Sequence, residues 1–255
     1  MAGTGMSRVE RALTERSTAR WARWAKKAPR AGLTRLAAQA EAAQALRHEL
    51  GEVIAAADRR LGVARHGQPQ IARPPGCDWA WRPALWQSAL TTPALAGAGS
   101  RSALGPEVTL FHDCPRREII LRQVRNGAAG QTPPFGLEVE VFAFEGSFLS
   151  LVLELPAEAA AGLGRRHVVR LNLTAEMERP LELFARLNLR HGPNTEQIVR
   201  EVPAGGAEVA FDLGYATLDE KRIERLWLDL IFESPRMTRV TLRDVTLLRH
   251  PRAEL

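Results

Sequence analysis

Two stretches in the second half of the chain alternate apolar and polar residues with a period of two. Within 181–190, Leu181, Leu183, Ala185, Leu187 and Leu189 take turns with Glu182, Phe184, Arg186, Asn188 and Arg190. Within 168–177, Val169, Leu171, Leu173, Ala175 and Met177 take turns with Val168, Arg170, Asn172, Thr174 and Glu176. Successive side chains of a strand point to opposite faces, so each stretch predicts a strand with one buried and one open face. The link Glu178-Arg179-Pro180 is short and polar, which predicts that the two strands pair as a hairpin. Such pairing sets Arg170 opposite Asn188 and Asn172 opposite Arg186, and the open face then carries a lattice of arginine and asparagine.

Similar patterns predict strands at 107–112, 118–124, 137–144, 148–155, 167–177, 181–190, 198–202, 208–213, 225–233 and 239–248. Turn signals separate them: Asn126-Gly127, Glu145-Gly146, Gly192-Pro193-Asn194, Gly205-Gly206 and Ser234-Pro235. Short strands with turns at this spacing predict a mostly β fold, an antiparallel jelly-roll-like β-sandwich. Helical interludes are expected at 156–163 and at the capping box Thr217-Leu218-Asp219-Glu220. In 225–233, Leu226, Leu228, Leu230 and Phe232 form the core face, while Trp227 and Asp229 stand side by side on the open one.

The N-terminal pattern is helical. Ser7-Arg8-Val9-Glu10 fits a capping box, and Val9, Leu13, Ser17, Trp21, Trp24, Ala25 and Ala28 recur at helical spacing until Pro29 and Gly32. A second, longer helix carries Leu33, Leu36, Ala40, Ala43, Leu46, Leu50, Val53, Ala57 and Leu61 in a narrow stripe suited to a helical hairpin or a self-associating coil. Gly51 weakens it locally. Residues 62–75 read as a linker, with Gly67, Pro69, Pro74 and Pro75. Trp79, Trp81 and Trp86 follow within eight residues, either as a stacking surface for sugars or as anchors pinning a proline-rich segment. The expected organisation is a basic helical arm at 1–62, a Pro/Trp-containing linker at 63–105 and a β-sandwich at 106–255, α+β overall.

Charge refines this division. Residues 1–35 hold nine Lys/Arg against two Asp/Glu, a net of +7, whereas the rest of the chain has 26 against 27. The basic excess is therefore a property of the arm, and a nucleic-acid role for the main body loses its electrostatic support. Trp21, Trp24, Lys26 and Lys27 are candidates for contact with an anionic membrane surface or a partner; docking of this helix on its own protein is the other reading. Cys77 and Cys114 lie too far apart for a zinc or disulfide framework, and whether they pair is open. The 255 residues contain neither a secretory apolar region nor an apolar run of membrane-spanning length, so a cytoplasmic location, with or without attachment to the membrane surface, is expected.

Candidate chemistry gathers on the open sheet face. Arg170, Asn172, Arg186, Asn188, Arg190, Trp227 and Asp229 would combine an aromatic platform with paired donors and acceptors, an arrangement suited to a glycan. The competing reading has the chain's own helices cover this face, the arginines pairing with Glu176, Glu182 and Asp229, which makes the protein a structural or assembly component. His191 with Glu196 is a weak acid–base candidate beside the turn Gly192-Pro193-Asn194. No nucleophile elbow, phosphate-cradling glycine loop or HExxH motif is present, and no cofactor or metal is expected.

Several motifs carry a resemblance: Arg73-Pro74-Pro75-Gly76, Asp78-Trp79-Ala80-Trp81-Arg82-Pro83, Phe111-His112-Asp113-Cys114-Pro115, Gly146-Ser147-Phe148-Leu149-Ser150-Leu151, Arg190-His191-Gly192-Pro193-Asn194-Thr195-Glu196-Gln197 and Trp227-Leu228-Asp229-Leu230-Ile231-Phe232-Glu233. With them the chain after Trp21 resembles a domain-of-unknown-function family of alphaproteobacteria. That resemblance implies a bacterial cytoplasmic protein and brings no activity. Val240-Thr241-Leu242-Arg243-Asp244-Val245-Thr246-Leu247 is loosely similar to the closing strand of jelly-roll carbohydrate-binding modules. The expectation is a non-catalytic binding module with glycan as the favoured ligand class.

Overall fold

The computed structural model describes residues 7–66, 71–127, 133–205 and 208–252. Its strands are β1 (Trp79–Trp81), β2 (Ala94–Ala96), β3 (Ser102–Leu104), β4 (Val108–His112), β5 (Ile119–Arg125), β6 (Phe135–Val141), β7 (Leu149–Glu154), β8 (His167–Met177), β9 (Leu183–His191), β10 (Asn194–Val202), β11 (Glu208–Asp212), β12 (Ile223–Phe232) and β13 (Thr238–Pro251). They build two antiparallel sheets, ordered β11-β8-β13-β6-β5-β2, with β1 on β13, and β10-β9-β12-β7-β4-β3. From β6 onward the chain passes repeatedly from one sheet to the other, the connectivity of a jelly-roll-like sandwich.

The alternation read from the sequence places the core. Leu183, Ala185, Leu187 and Leu189 of β9 are fully buried, as are Leu226, Leu228, Leu230 and Phe232 of β12 to within 2%. They join one apolar cluster with Val169, Leu171, Leu173 and Ala175 of β8 and with Val240, Leu242, Val245 and Leu247 of β13. Fully burying one such leucine contributes roughly 1.5–3 kcal/mol. The β9–β10 hairpin closes on two residues. Gly192 takes φ 58° at the first loop position and Pro193 the second, the pattern of a II′ turn whose twist matches the strands.

The β8–β9 hairpin does not form. β8 lies between β11 and β13, whereas β9 lies between β10 and β12 in the opposite sheet. The link through Glu178, Arg179 and Pro180 crosses the sandwich, and the apolar sides of β8 and β9 both face the core between the sheets. Arg170 and Asn172 are therefore on the outer face of the other sheet, away from Arg186 and Asn188. Crossing satisfies the period-two burial of both strands as well as pairing would, which is why the periodicity could not choose.

The segment 63–105 is more than a linker. It supplies β1, β2, β3 and a short helix, α3 (Ala84–Gln87). Trp86 is fully buried and donates its indole N–H to the carbonyl of Leu242 at 3.0 Å. Trp79 and Trp81 stack at 6.5 Å and pack on the core from β1. These three tryptophans thus anchor the segment. Cys77 and Cys114 are both free thiols.

Upstream, α1 (Arg8–Lys27) starts with the expected reciprocal box, in which Ser7 Oγ accepts from Glu10 N and Glu10 Oε2 accepts from Ser7 N. A 3₁₀ turn at Ala28–Arg30 interrupts the helix. Next comes α2 (Leu33–His66), which runs through Gly51 and takes up Gly62, expected in the linker. Gly67 and Pro69 of that linker, and Gly206 of the Gly205-Gly206 turn, lie outside the described residues. The chain forms two compact units, Met1–Gly51 and Glu52–Leu255, divided within α2. Among the described residues no helix is long and apolar enough to cross a membrane.

Candidate functional site

Residues of β4, β7, β12 and β9 line a depression of about 530 Å³ on the outer face of the six-stranded sheet. Strand register sets them in rows. Thr109, Val152, Asp229 and Arg186 are directly opposed across the four strands. Phe111, Ser150 and Ile231 form the next row, and Glu154 and Trp227 the one beyond. Phe148, 44% exposed, lines the depression from the residue before β7. Period-two alternation alone dictates that all the strand residues among these point away from the core.

The polar groups are paired before any ligand arrives. Asp229 is 2% exposed, and its Oδ2 accepts from Arg186 Nε at 2.8 Å and Asn188 Nδ2 at 3.1 Å, with Arg186 Nη2 at 2.6 Å. Its Oδ1 is buried without a hydrogen-bond partner among the described residues. Glu154 takes a two-pronged contact from Arg225, with Nε 2.9 Å from Oε2 and Nη2 on Oε1. That hydrogen bond holds the Arg225 guanidinium above its ordinary pKa. The same guanidinium lies 5.0 Å from the ring centroid of Trp227, clamped between carboxylate and indole.

The aromatic rim is held in turn by Asp113. Its Oδ1 accepts from the backbone N–H of Ser147 at 2.7 Å and Phe148 at 3.3 Å, and its Oδ2 accepts from Ser147 Oγ at 2.6 Å. The Ser147 hydroxyl, above the other causes, draws the Asp113 carboxyl below its ordinary pKa. Gly146 makes the approach feasible, because a Cβ there would run into the Asp113 carboxylate and stand 2.8 Å from Cys114 N.

The whole chain, residues 1–255, matches the profile of DUF6478, described as a family of unknown function. The chain belongs to that family. No curated protein sequence matches it. Among solved structures, the DUF6478 chain is similar to the enzymatically active domain of tailspike protein 4 from bacteriophage CBA120, at 9% identity and a TM-score of 0.39 over 61% of this chain; it spans about a fifth, 21%, of that one. A family 11 carbohydrate-binding module from Clostridium thermocellum, solved with a β-1,3-1,4-mixed-linked tetrasaccharide, gives 8% identity and a TM-score of 0.36 over 61% of this chain and 94% of the module. The CBM22-1 xylan-binding domain from Paenibacillus barcinonensis gives 12%, 0.37, 72% and 100% for the same quantities.

In the DUF6478 chain the depression brings together three of the residues singled out from the sequence, Arg186, Trp227 and Asp229. Asn188 is fully buried: its Oδ1 accepts from Gln197, and its Nδ2 donates to Asp229 and to the Arg186 carbonyl. It orients Asp229 and offers nothing to a ligand. Arg190 lies outside the lining and faces Glu224 at 3.6 Å. Arg170 pairs with Glu208, and Asn172 sits opposite the same residue in the other sheet. His191 and Glu196 do not form an acid–base pair. His191 Nδ1 accepts from Asp219 N and Glu196 Oε1 from Thr217 N, each at 3.3 Å, so both tie down the loop before β12. Sequence reasoning passed over Thr109, Phe111, Phe148, Ser150, Val152, Glu154, Arg225 and Ile231. Alternation marked the strand residues among them as outward-facing, but only the neighbour order β4-β7-β12-β9 assembles them.

Proposed function

We propose that this chain is a binding module for an uncharged glycan, held in the depression over Trp227. The observation that carries the reading is the pairing, two residues apart on β12, of an aromatic surface with a buried carboxylate whose Oδ1 has no partner among the described residues. The indole offers a flat apolar surface to the C–H face of a sugar ring, with Phe111 and Phe148 extending it. Asp229 Oδ1 accepts a hydroxyl proton, while Ser150 and Thr109 can donate or accept. Both guanidiniums in the lining, Arg186 and Arg225, already neutralise carboxylates. An acidic sugar would meet guanidiniums whose charge is already offset, whereas a neutral one needs no counter-charge. A volume near 530 Å³ lies within the range of small-ligand sites.

Calorimetric titration against neutral and uronic-acid oligosaccharides tests this, using wild type and Trp227→Ala. Expected are binding of a neutral oligosaccharide by wild type and at least roughly tenfold weaker binding by the variant, about 1.4 kcal/mol, with thermal unfolding confirming that it folds. Absence of glycan binding by wild type, or undiminished binding by Trp227→Ala, overturns the proposal.

A further inference from the structure

We infer that α1 is a second binding element, independent of the depression, which lays the protein on an anionic lipid surface. Between Ser7 and Arg35 stand nine cationic side chains and two carboxylates. Among the described residues none of those nine makes an ion pair; every ion pair falls between Asp78 and Arg252. With two carboxylates against nine cations, the segment cannot compensate its own charge. The missing anions must then come from solvent or from a partner.

The apolar side selects among partners. At 100° per residue, Val9, Leu13, Trp24 and Trp21 fall within an arc of about 120°. Val9 and Leu13 are 69% and 59% exposed, Trp21 and Trp24 are half-buried, and no residue of α1 is fully buried. Trp21 and Trp24 meet edge to face at 4.9 Å, with the Arg20 guanidinium 5.3 Å from the Trp24 ring. Arg16, Arg20 and Lys27 project along one border of the arc, where their stems can lie on apolar surface while the charges reach outward. Glu10, the one carboxylate inside the arc, is occupied in capping Ser7 N at 2.7 Å. Duplex nucleic acid would neutralise the cations but has no use for two tryptophans beside valine and leucine. The headgroup region of an anionic bilayer takes both, charges at the phosphates and indoles at the acyl boundary.

Sedimentation of the full chain with extruded vesicles tests the inference. The probes are vesicles of phosphatidylglycerol with phosphatidylcholine, vesicles of phosphatidylcholine alone, and a duplex DNA of arbitrary sequence. Wild type is expected to sediment with the anionic vesicles at low salt, to be released by salt, and to ignore the neutral ones. Lys26→Glu with Lys27→Glu, and separately Trp21→Ser with Trp24→Ser, should each weaken vesicle binding at least tenfold. Neither pair is a member of the sandwich core, and far-UV circular dichroism checks that α1 persists. Failure of wild type to sediment with anionic vesicles overturns the inference. So does vesicle binding indifferent to the tryptophan pair, and so does tighter binding to DNA that the tryptophan variant retains, which would make nucleic acid the partner.

Discussion

The outer faces of the two sheets follow the same alternating rule and end in opposite chemistry. On the seven-stranded sheet the outward residues form a charge ladder: Arg122 with Glu138 and Glu140, Arg243 with Glu176, Arg170 with Glu208. On the six-stranded sheet the outward residues interleave two ion pairs with Trp227, Phe111, Ile231 and Val152, and a depression forms there. Exposed ion pairs contribute little, with a median below about 1 kcal/mol, so the first face is mainly a solubilising surface. The second holds aromatic side chains at the surface beside a buried carboxylate that Arg186 and Asn188 pair through one of its oxygens. The difference teaches that alternation sets which residues face outward but not their chemistry: aromatic side chains stand out on one sheet and paired charges on the other.

Substitutions can break this contrast, the most damaging first. Asp229→Ala strands Arg186 and the fully buried Asn188; a loss of roughly 2–4 kcal/mol of stability is expected by denaturant unfolding. Glu208→Ala, its counterpart on the ladder, should cost about 1 kcal/mol or less by the same measurement. Trp227→Ala should remove most glycan affinity while shifting stability by roughly 1 kcal/mol or less, since the ring is partly exposed already. Gly146→Ala displaces Asp113 and with it the clamp on Phe148, so titration should show affinity down several-fold with the Trp227 contribution intact.

The gentlest change sharpens the comparison through pH. The Arg243 hydrogen bond, above other causes, holds the Glu176 carboxyl below its ordinary pKa. A depressed carboxyl stabilises the fold above its unfolded pKa, about 4.3, and loses that contribution as pH falls through the folded value. Glu176 is 62% exposed, so Glu176→Gln should cost no more than about 0.5 kcal/mol at pH 7. Unfolding curves of variant and wild type should converge as pH falls through the depressed value of the folded Glu176, and glycan titrations should coincide throughout.

What the chain determined locally, it determined well. The period-two runs place the inward leucines of β8, β9 and β12, the capping box starts α1 at the expected residue, and Gly192-Pro193 makes its turn. Burial of an alternating side chain is a property of one strand, so it can be read from one strand. What the tertiary structure decided is which strands are neighbours. The same alternation in β8 and β9 allowed a hairpin or a crossing of the core, and the crossing carried Arg170 and Asn172 to the far sheet. It also let Phe111 and Phe148, remote in sequence from Trp227, share a depression with it. Adjacency between strands depends on the packing of the whole core, a sum over distant residues that no single stretch contains.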